Sequence, residues 1–358
     1  MSRTVTLQQQ LDEMTAPAAD ALVEVIDAEE NKLRCLSCGH RCLIKDGRRG
    51  ICKIRYNEGG TLRVPRGYVG ALQVDPVEKK PFFHVMPGTN ILSFGMLGCD
   101  FRCSYCQNWD ISQTLRDEAA GRDYIPISAD ELVDLGRRYR ARGMASTYNE
   151  PLITSEWAVE VFKKARAAGM LTMYVSNGNG TREVIDFLTP YLDAYKIDLK
   201  TMQDRHYRRY LGGVLQTVLD TIRWVHEAGI WLEVLTLIVP GFNDSNDELY
   251  DAARYIASIS VDIPWHVTAF HPDYKMMTTP PTTAETLVRA AEIGAEAGLR
   301  YVYAGNLPGN CGEWEDTRCP NCNMTVIGRT GYMITSNLLA KTGGTCPNCG
   351  TAIPGIWQ

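Results

Sequence analysis

Three cysteines in the run GCDFRCSYCQNW, Cys99, Cys103 and Cys106, carry the sharpest chemistry in the chain. They are spaced C-x3-C-x2-C on one short loop directly after an apolar run. Their thiolates can reach three corners of a cubane iron–sulfur cluster and leave one iron without a protein ligand. An unfilled metal position is what a reaction needs, as at catalytic zinc, whereas a closed coordination sphere only holds structure. The competing reading is three-quarters of a zinc site with its fourth ligand elsewhere, although zinc knuckles usually come as paired C-x2-C motifs.

The chain has 12 cysteines, and the others fall into two further clusters with Cys311 left over. Close spacing suits metals better than disulfides in a reducing compartment. Cys35, Cys38, Cys42 and Cys52 follow C-x2-C-x3-C-x9-C and are expected to bind zinc or a second iron–sulfur cluster, with His40 as a substitute ligand. Cys319, Cys322, Cys346 and Cys349 form two C-x2-C knuckles around TVIGRTGYMITSNLL, which alternates like a hairpin. That pattern predicts a zinc ribbon, in which the metal supplies folding energy that so short a segment cannot bury; a rubredoxin-like iron would use the same ligands. Cys311 reads as a free thiol.

The elements that must hold these loops follow from the apolar rhythm. Strands are expected at 91–97, 144–149, 171–176, 194–199, 231–239 and 263–270, with a seventh at 301–306. Between them lie helical patterns such as ADELVDLGRRYRARG, SEWAVEVFKKARAAG and TVLDTIRWVHEAG, each closed by a glycine. Six or seven βα repeats fall short of the usual eight-unit barrel. The expected fold is therefore α/β: a partial (β/α)6-type open TIM barrel with an N-terminal Cys-rich metal-binding segment and a C-terminal zinc ribbon. The divisions are 1–85, 86–310 and 311–358. Residues 1–30 read as a helix with a flexible lead-in, TLRVPRGYVGALQV as a hairpin, and PVEKKPFFHVMPG as a connector whose prolines exclude a regular helix.

Parallel βα barrels keep their active sites at the C-terminal ends of the strands. Every expected strand there runs into polar residues: Asn149 and Glu150, Asn177, Asp198 and Lys200, the Pro240–Asp244 stretch, and His271. Each also has a plain structural reading. Asn177-Gly178 forms turns readily, Asp198 and Lys200 can pair on a surface, and Pro240-Gly241 can simply turn a loop.

Bulk composition narrows the function classes. With 45% hydrophobic and 22% charged residues the chain is globular, and a net charge of −5 gives no global attraction to nucleic acid. The sequence has neither a signal-peptide pattern nor an apolar run of the ~20 residues that cross a bilayer. A cytoplasmic protein without a membrane partner is expected.

Together GCDFRCSYCQNW, TYNEP, YKIDLK, IVPGFND and AFHPDYKM resemble the radical S-adenosylmethionine (SAM) proteins related to pyruvate formate-lyase activating enzymes. More narrowly, DPVEKKPFFHVMPG and the CPNC…CPNCG tail resemble the radical SAM member of the AmmeMemoRadiSam set. The resemblance runs from Cys35 to Ile356. It implies a 4Fe–4S cluster on Cys99, Cys103 and Cys106, with Tyr105 as the aromatic before the last ligand. The open iron would chelate SAM, whose reductive cleavage gives methionine and a 5′-deoxyadenosyl radical that takes hydrogen from a substrate. TYNEP stands where many relatives have Gly-Gly-Glu for the SAM amino group, which assigns that role to Asn149 and Glu150. Lys200, in YKIDLK beside Asp198, would pair with the SAM carboxylate, Asn177 would bond the ribose, and His271 would contact the nucleoside or substrate.

The same resemblance implies Memo-type and AMMECR-type partners but identifies no substrate. The chemistry calls for an electron donor such as flavodoxin or ferredoxin, and the lateral gap of an open partial barrel would admit a protein or other large substrate. Two further functions compete with it. One is a glycyl radical enzyme activase, against which stands the placement of the extra cysteines before the triplet rather than after it. The other is a zinc-stabilised nucleic-acid or protein binding adapter, which would be colourless when purified.

Overall fold

The computed structural model describes residues 6–357. Its apolar, β-branched runs form one eight-stranded sheet: β1 (Ala71–Pro76), β2 (Asn90–Gly95), β3 (Gly143–Ser146), β4 (Leu171–Ser176), β5 (Ala194–Asp198), β6 (Trp231–Ile238), β7 (Trp265–Ala269) and β8 (Val302–Gly305). The strands lie in chain order across the sheet. β2 to β8 are all parallel, and β1 pairs antiparallel with β2 at one edge. Right-handed crossovers in an order that never reverses put the helices on one side of the sheet, leaving the other face to curl inward. Every residue of β3 and β7 is buried, as strands covered on both faces require.

The covering helices are α1 (Ala129–Arg138), α2 (Ser155–Ala167), α3 (Arg182–Leu188), α4 (Leu215–Glu227), α5 (Asn246–Ile259) and α6 (Ala284–Glu296). Ser128, Thr181, Ser245 and Thr283 cap α1, α3, α5 and α6, each accepting the N–H three residues on. Such a cap contributes about 1 kcal/mol. Gly169 and Gly229 take the left-handed turn after their helices as expected, and Gly298 does the same after α6. The glycine expected to end α1 does not. Arg140 makes that turn (φ 54°), and Gly143 instead opens β3, where a Cβ would come within 2.6 Å of Met173.

The hairpin expected within residues 61–74 is absent. Thr61–Pro65 pairs with Tyr56–Glu58 through the two-residue turn Gly59-Gly60, and with Thr15–Pro17 on its other edge. Tyr68–Val69 pairs with Ile125–Pro126, and Ala71 onward joins the main sheet as β1. Proline at position 65 and the left-handed Gly67 (φ 80°) end one pairing before the next begins. The N-terminal helix spans Leu7–Glu13 and gives way to strands at Thr15–Pro17 and Val23–Asp27; the lead-in over residues 1–5 lies outside the described residues.

The connector plugs the strand-start end of the barrel. Buried Glu233 on β6 accepts the N–H groups of Phe83 and His84 at 3.0 and 2.9 Å, and also bonds Trp231 Nε1 and His266 Nε2. At the opposite end lies the N-terminal segment. Ser37 Oγ donates to Leu152 O, Thr181 Oγ1 donates to Leu36 O, and the Gly39 N–H reaches Asn179 O. The strongest tie is Arg55, 1% exposed, whose guanidinium holds both carboxylate oxygens of Glu156 at 2.7 and 2.8 Å and also Ile153 O. The C-terminal hairpin, β10 (Thr325–Thr330) and β11 (Met333–Asn337) flanked by the short β9 (Thr317–Arg318), packs on Phe83, Tyr301 and Tyr303. No helix among the described residues is long and apolar enough to cross a membrane.

Removing one partner of a buried ion pair strands a charge at a cost of about 3–5 kcal/mol, whereas replacing both by apolar groups is often neutral. Arg55→Met should therefore lower the unfolding free energy by roughly 3 kcal/mol in a denaturant titration, and Arg55→Met with Glu156→Leu should recover most of it. Equal losses in the two variants would show that the pair is not what docks the N-terminal segment.

Candidate active site

The cysteine loop leaves the sheet at the end of β2. Gly95 is required at that exit, because a Cβ would sit 2.5 Å from Thr147 O. Asn149 then fixes the path of the chain. Its side-chain oxygen accepts the Met96 N–H at 3.1 Å and its amide donates to Gly98 O at 3.0 Å, so the strands expected to run on to residues 97 and 149 end early around this clamp. Arg116 reaches Phe101 O at 2.8 Å and Cys99 O at 2.5 Å, and Gln113 also donates to Phe101 O. Ser112 Oγ lies 3.3 Å from Cys106 Sγ. Cys99, Cys103 and Cys106 thereby face one cavity of about 370 Å³, and they are its only cysteines.

Two buried carboxylates stand beside the loop. Asp100, 2% exposed, accepts from Asn177 and Asn179, both at 2.8 Å. Glu150 accepts from Leu152 N (3.0 Å), Ser176 Oγ (2.7 Å) and Asn177 N (2.7 Å). Burial first and Asp100 second push the Glu150 carboxyl up to about 8, against the pull of those three donors. A buried acid held this high is poised for a cationic or strongly donating neighbour.

The opposite wall is basic. Asp198 at the end of β5 lies between Lys196 and Lys200, with Lys200 Nζ at 3.1 Å. Burial alone would lift its carboxyl, but Lys196 and Lys200 hold it at about 2. This is a cavity-lining trio, not the surface pair the sequence allowed. Lys80, 5% exposed, also lines the cavity; it donates to Tyr148 OH at 3.1 Å and Asp75 at 3.3 Å, and burial brings its ammonium down to about 8. Tyr148 holds a left-handed backbone (φ 72°), which costs a non-glycine residue roughly 1–2 kcal/mol. Tyr332, at the turn between β10 and β11, completes this wall and donates to Asn306 at 3.1 Å.

The structure thus gathers Tyr105, Asn149, Glu150, Asn177, Asp198 and Lys200 around the cysteine loop, and all six line the cavity. Asn149 and Asn177 are engaged mainly with the protein itself: Asn177 spends its amide on Asp100 and its oxygen on the Asn179 N–H. His271 is not brought in. It is exposed outside the lining, near its own neighbour Pro272. Asp100, Ser112, Arg116 and Lys80 are not among the site residues the sequence points to, and Tyr148 is there only as a rim position beside Asn149, without a role. Only the position of Asp100 within the cysteine motif offered a signal.

The other cysteines form two different arrangements. Cys319, Cys322, Cys346 and Cys349 bring four sulfurs within 4.8 Å of one another, a set that can hold a metal ion. Cys35, Cys38, Cys42 and Cys52 share the N-terminal segment docked against the cysteine loop, three of them buried. Cys311 is a buried free thiol whose burial raises it to about 11.

The family model described as the radical SAM superfamily matches residues 95–256, which begin at the cysteine loop and take in the rims of β3 to β6. An uncharacterized protein of Methanocaldococcus jannaschii is 39% identical over 329 residues, covering 91% of this chain and 96% of that protein. The pyruvate formate-lyase-activating enzyme of Clostridium pasteurianum is 25% identical over 179 residues, 48% of this chain and 71% of that enzyme. A solved radical SAM methyltransferase from Sphaerobacter thermophilus aligns with a TM-score of 0.48 at 15% identity, over 84% of this chain and 80% of that one. With its cysteine loop inside the family match, the chain carries a radical SAM domain and is distantly similar to the pyruvate formate-lyase activating enzymes.

Proposed function

We propose that the chain reductively cleaves SAM and abstracts hydrogen from a substrate, as the radical SAM member of an AmmeMemoRadiSam set. One observation carries the reading: three cysteine thiols and the buried carboxyl of Glu150 face the same cavity, with no fourth cysteine lining it to close a cluster. The family's cofactors, a 4Fe–4S cluster and SAM, fit this donor set. Cys99, Cys103 and Cys106 would hold three irons, and Glu150 would accept hydrogen bonds from the SAM amino group. The Lys196–Asp198–Lys200 trio, one cation in excess, would face the SAM carboxylate. When bound, such a cluster would supply one-electron reduction of the SAM sulfonium.

The chain's own residues do the positioning. Asn149 and Arg116 fix the backbone on either side of Cys99, and Asp100 locks Asn177 so that its N–H stays on Glu150. A cavity of about 370 Å³ leaves little space beyond SAM itself, so the substrate would enter through the mouth beside Lys80, Tyr148 and Tyr332. Lys79 and Lys80 share the single Asp75 there, an excess of positive charge that favours an acidic group on a protein or other large substrate. In this reading zinc fills the C-terminal quartet, a flavodoxin or ferredoxin delivers the electron, and Memo-type and AMMECR-type proteins are the partners. Glycyl radical enzyme activation is the second reading, favoured by the similarity to the Clostridium pasteurianum activating enzyme. A glycyl radical signal in a candidate partner, by electron paramagnetic resonance, separates the two.

Changing Cys99, Cys103 and Cys106 together to alanine should abolish the reductive formation of 5′-deoxyadenosine, measured chromatographically under anaerobic conditions; undiminished cleavage would refute the mechanism. Glu150→Gln should weaken SAM binding by about tenfold or more, the worth of one hydrogen bond to a charged group. Its pH profile gives a second check. A carboxyl near pH 8 in the free protein becomes the better acceptor once ionised, so wild-type affinity should rise from pH 7 to pH 9. The variant, lacking that titration, should show a shallower slope by equilibrium dialysis, and identical slopes would remove the role given to Glu150.

A further inference from the structure

We infer that Cys35, Cys38, Cys42 and Cys52 hold a second, fully ligated iron–sulfur cluster in contact with the central cysteine loop, rather than a zinc ion. The argument begins with the spacing of the sulfurs. A tetrahedral ion with metal–sulfur bonds of ~2.3 Å draws its ligands to within roughly 3.8 Å of one another. The C-terminal quartet has that compact form, with Cys319 and Cys349 sulfurs 3.5 Å apart and those of Cys322 and Cys346 3.7 Å apart. Among the described residues it is the only group in which three or more ligand atoms lie mutually within 4.8 Å. The N-terminal quartet is wider, and so is the central triplet. In a cubane each thiolate binds its own iron at a separate corner, and the sulfurs must stand apart. The N-terminal set, like the triplet that holds a cluster in the proposed function, does not close to the spacing of the compact quartet.

The surroundings add independent support. The loops carrying the N-terminal quartet and the triplet are joined at three places. Arg116 donates to both Ile51 O, beside Cys52, and Cys99 O, each at 2.5 Å. The Gly39 N–H, beside Cys38, bonds Asn179 O, and the Asn179 amide bonds Asp100 beside Cys99. At Gly98 the left-handed backbone (φ 88°) lets Cys52 O approach to 3.1 Å of where a Cβ would stand. A zinc ion needs no such adjacency to stabilise the segment, whereas an electron-carrying group gains from it. His40, edge-on to Phe101 with ring centroids 6.5 Å apart, keeps a buried Nε2 with no hydrogen-bond partner among the described residues. The Ile51 N–H points to Cys42 Sγ at 3.5 Å, the kind of N–H to sulfur contact that tunes cluster potentials. Four protein thiolates leave no open iron, so this group suits electron transfer and not the binding of SAM or substrate.

The test uses the full chain, purified anaerobically and reconstituted with iron and sulfide. In the variant with Cys99, Cys103 and Cys106 all changed to alanine, the N-terminal quartet is untouched. That protein should stay brown and keep about half of the wild-type iron and acid-labile sulfide, with the Mössbauer signature of a 4Fe–4S cluster. Cys35→Ala with Cys38→Ala should lose the complementary half and retain the signal that SAM perturbs. Should that second variant fail to fold, the first still decides. A colourless triple variant carrying about two zinc ions per chain, one more than the C-terminal quartet takes, would overturn the inference. Iron equal in wild type and triple variant would strike the role of the central triplet instead, and would leave the N-terminal cluster standing.

Discussion

Two carboxylates buried side by side without a basic partner impose the constraint on which the rest of the site depends. Taking an ionised acid out of water costs several kcal/mol unless hydrogen bonds or opposite charge replace its hydration. Asp100 meets this with the side-chain amides of Asn177 and Asn179, and Glu150 with two backbone N–H groups and Ser176. Those donors come from the loops after β3 and β4. The same bonds that make the acids tolerable therefore also fix the rims around the cysteine loop. Glu150 remains under-compensated, as its raised carboxyl shows. Asp198, the other acid lining the cavity, has Lys196 and Lys200 and is held ionised. The cavity is acid-rich beside the cysteines and cation-rich on the facing wall, and that polarity orients any ligand carrying both an amino group and a carboxylate.

Much of this was legible in the residues, and the rest failed for identifiable reasons. The strand at Leu171–Ser176 falls where its apolar run predicts, and the parallel order follows from alternation of such runs with capped helices. Rim positions could be placed by chain order alone, which is why Glu150, Asp198 and Lys200 were found. What a residue type does not reveal is how many of its hydrogen bonds the protein itself consumes. Asn149 and Asn177 read as ligand contacts, yet their amides hold Gly98 O and Asp100. Arg116 lies in an irregular stretch, and its partners Ile51 O and Phe101 O are 65 and 15 residues away. No periodicity encodes such contacts. His271 followed a strand in sequence, but the chain beyond β7 turns it outward.

The peripheral segments are part of the same machine. Lys80 comes from the connector, Tyr148 from the rim of β3, and Tyr332 from the C-terminal hairpin, and the three line one cavity. Each is held from behind. Lys80 stands over the Tyr148 ring, with Nζ 4.5 Å from its centroid, and Tyr332 bonds Asn306 after β8. The strained backbone of Tyr148 makes sense in this setting. A left-handed conformation persists only when its surroundings over-determine it, and here both the phenol and the ring are used.

That arrangement gives the C-terminal metal set a consequence beyond local stability. The segment from Thr317 onward offers only a small apolar cluster of its own, and packs it on Phe83, Tyr301 and Tyr303. So small a unit would gain much of its order from a metal ion held by its four cysteines. Its hairpin turn carries Tyr332 across to the cavity mouth, while its last residues bond back to the connector through Met86 N to Ile356 O and His84 Nδ1 to Pro354 O. The connector in turn carries Lys80. Loss of the compact cysteine set would thus loosen both walls of the mouth at once, without touching the cysteine loop that Asn149 and Arg116 hold from the sheet side. The Lys80–Tyr332 side of the cavity and the cysteine loop thus rest on largely separate supports, which meet where Tyr148 adjoins Asn149.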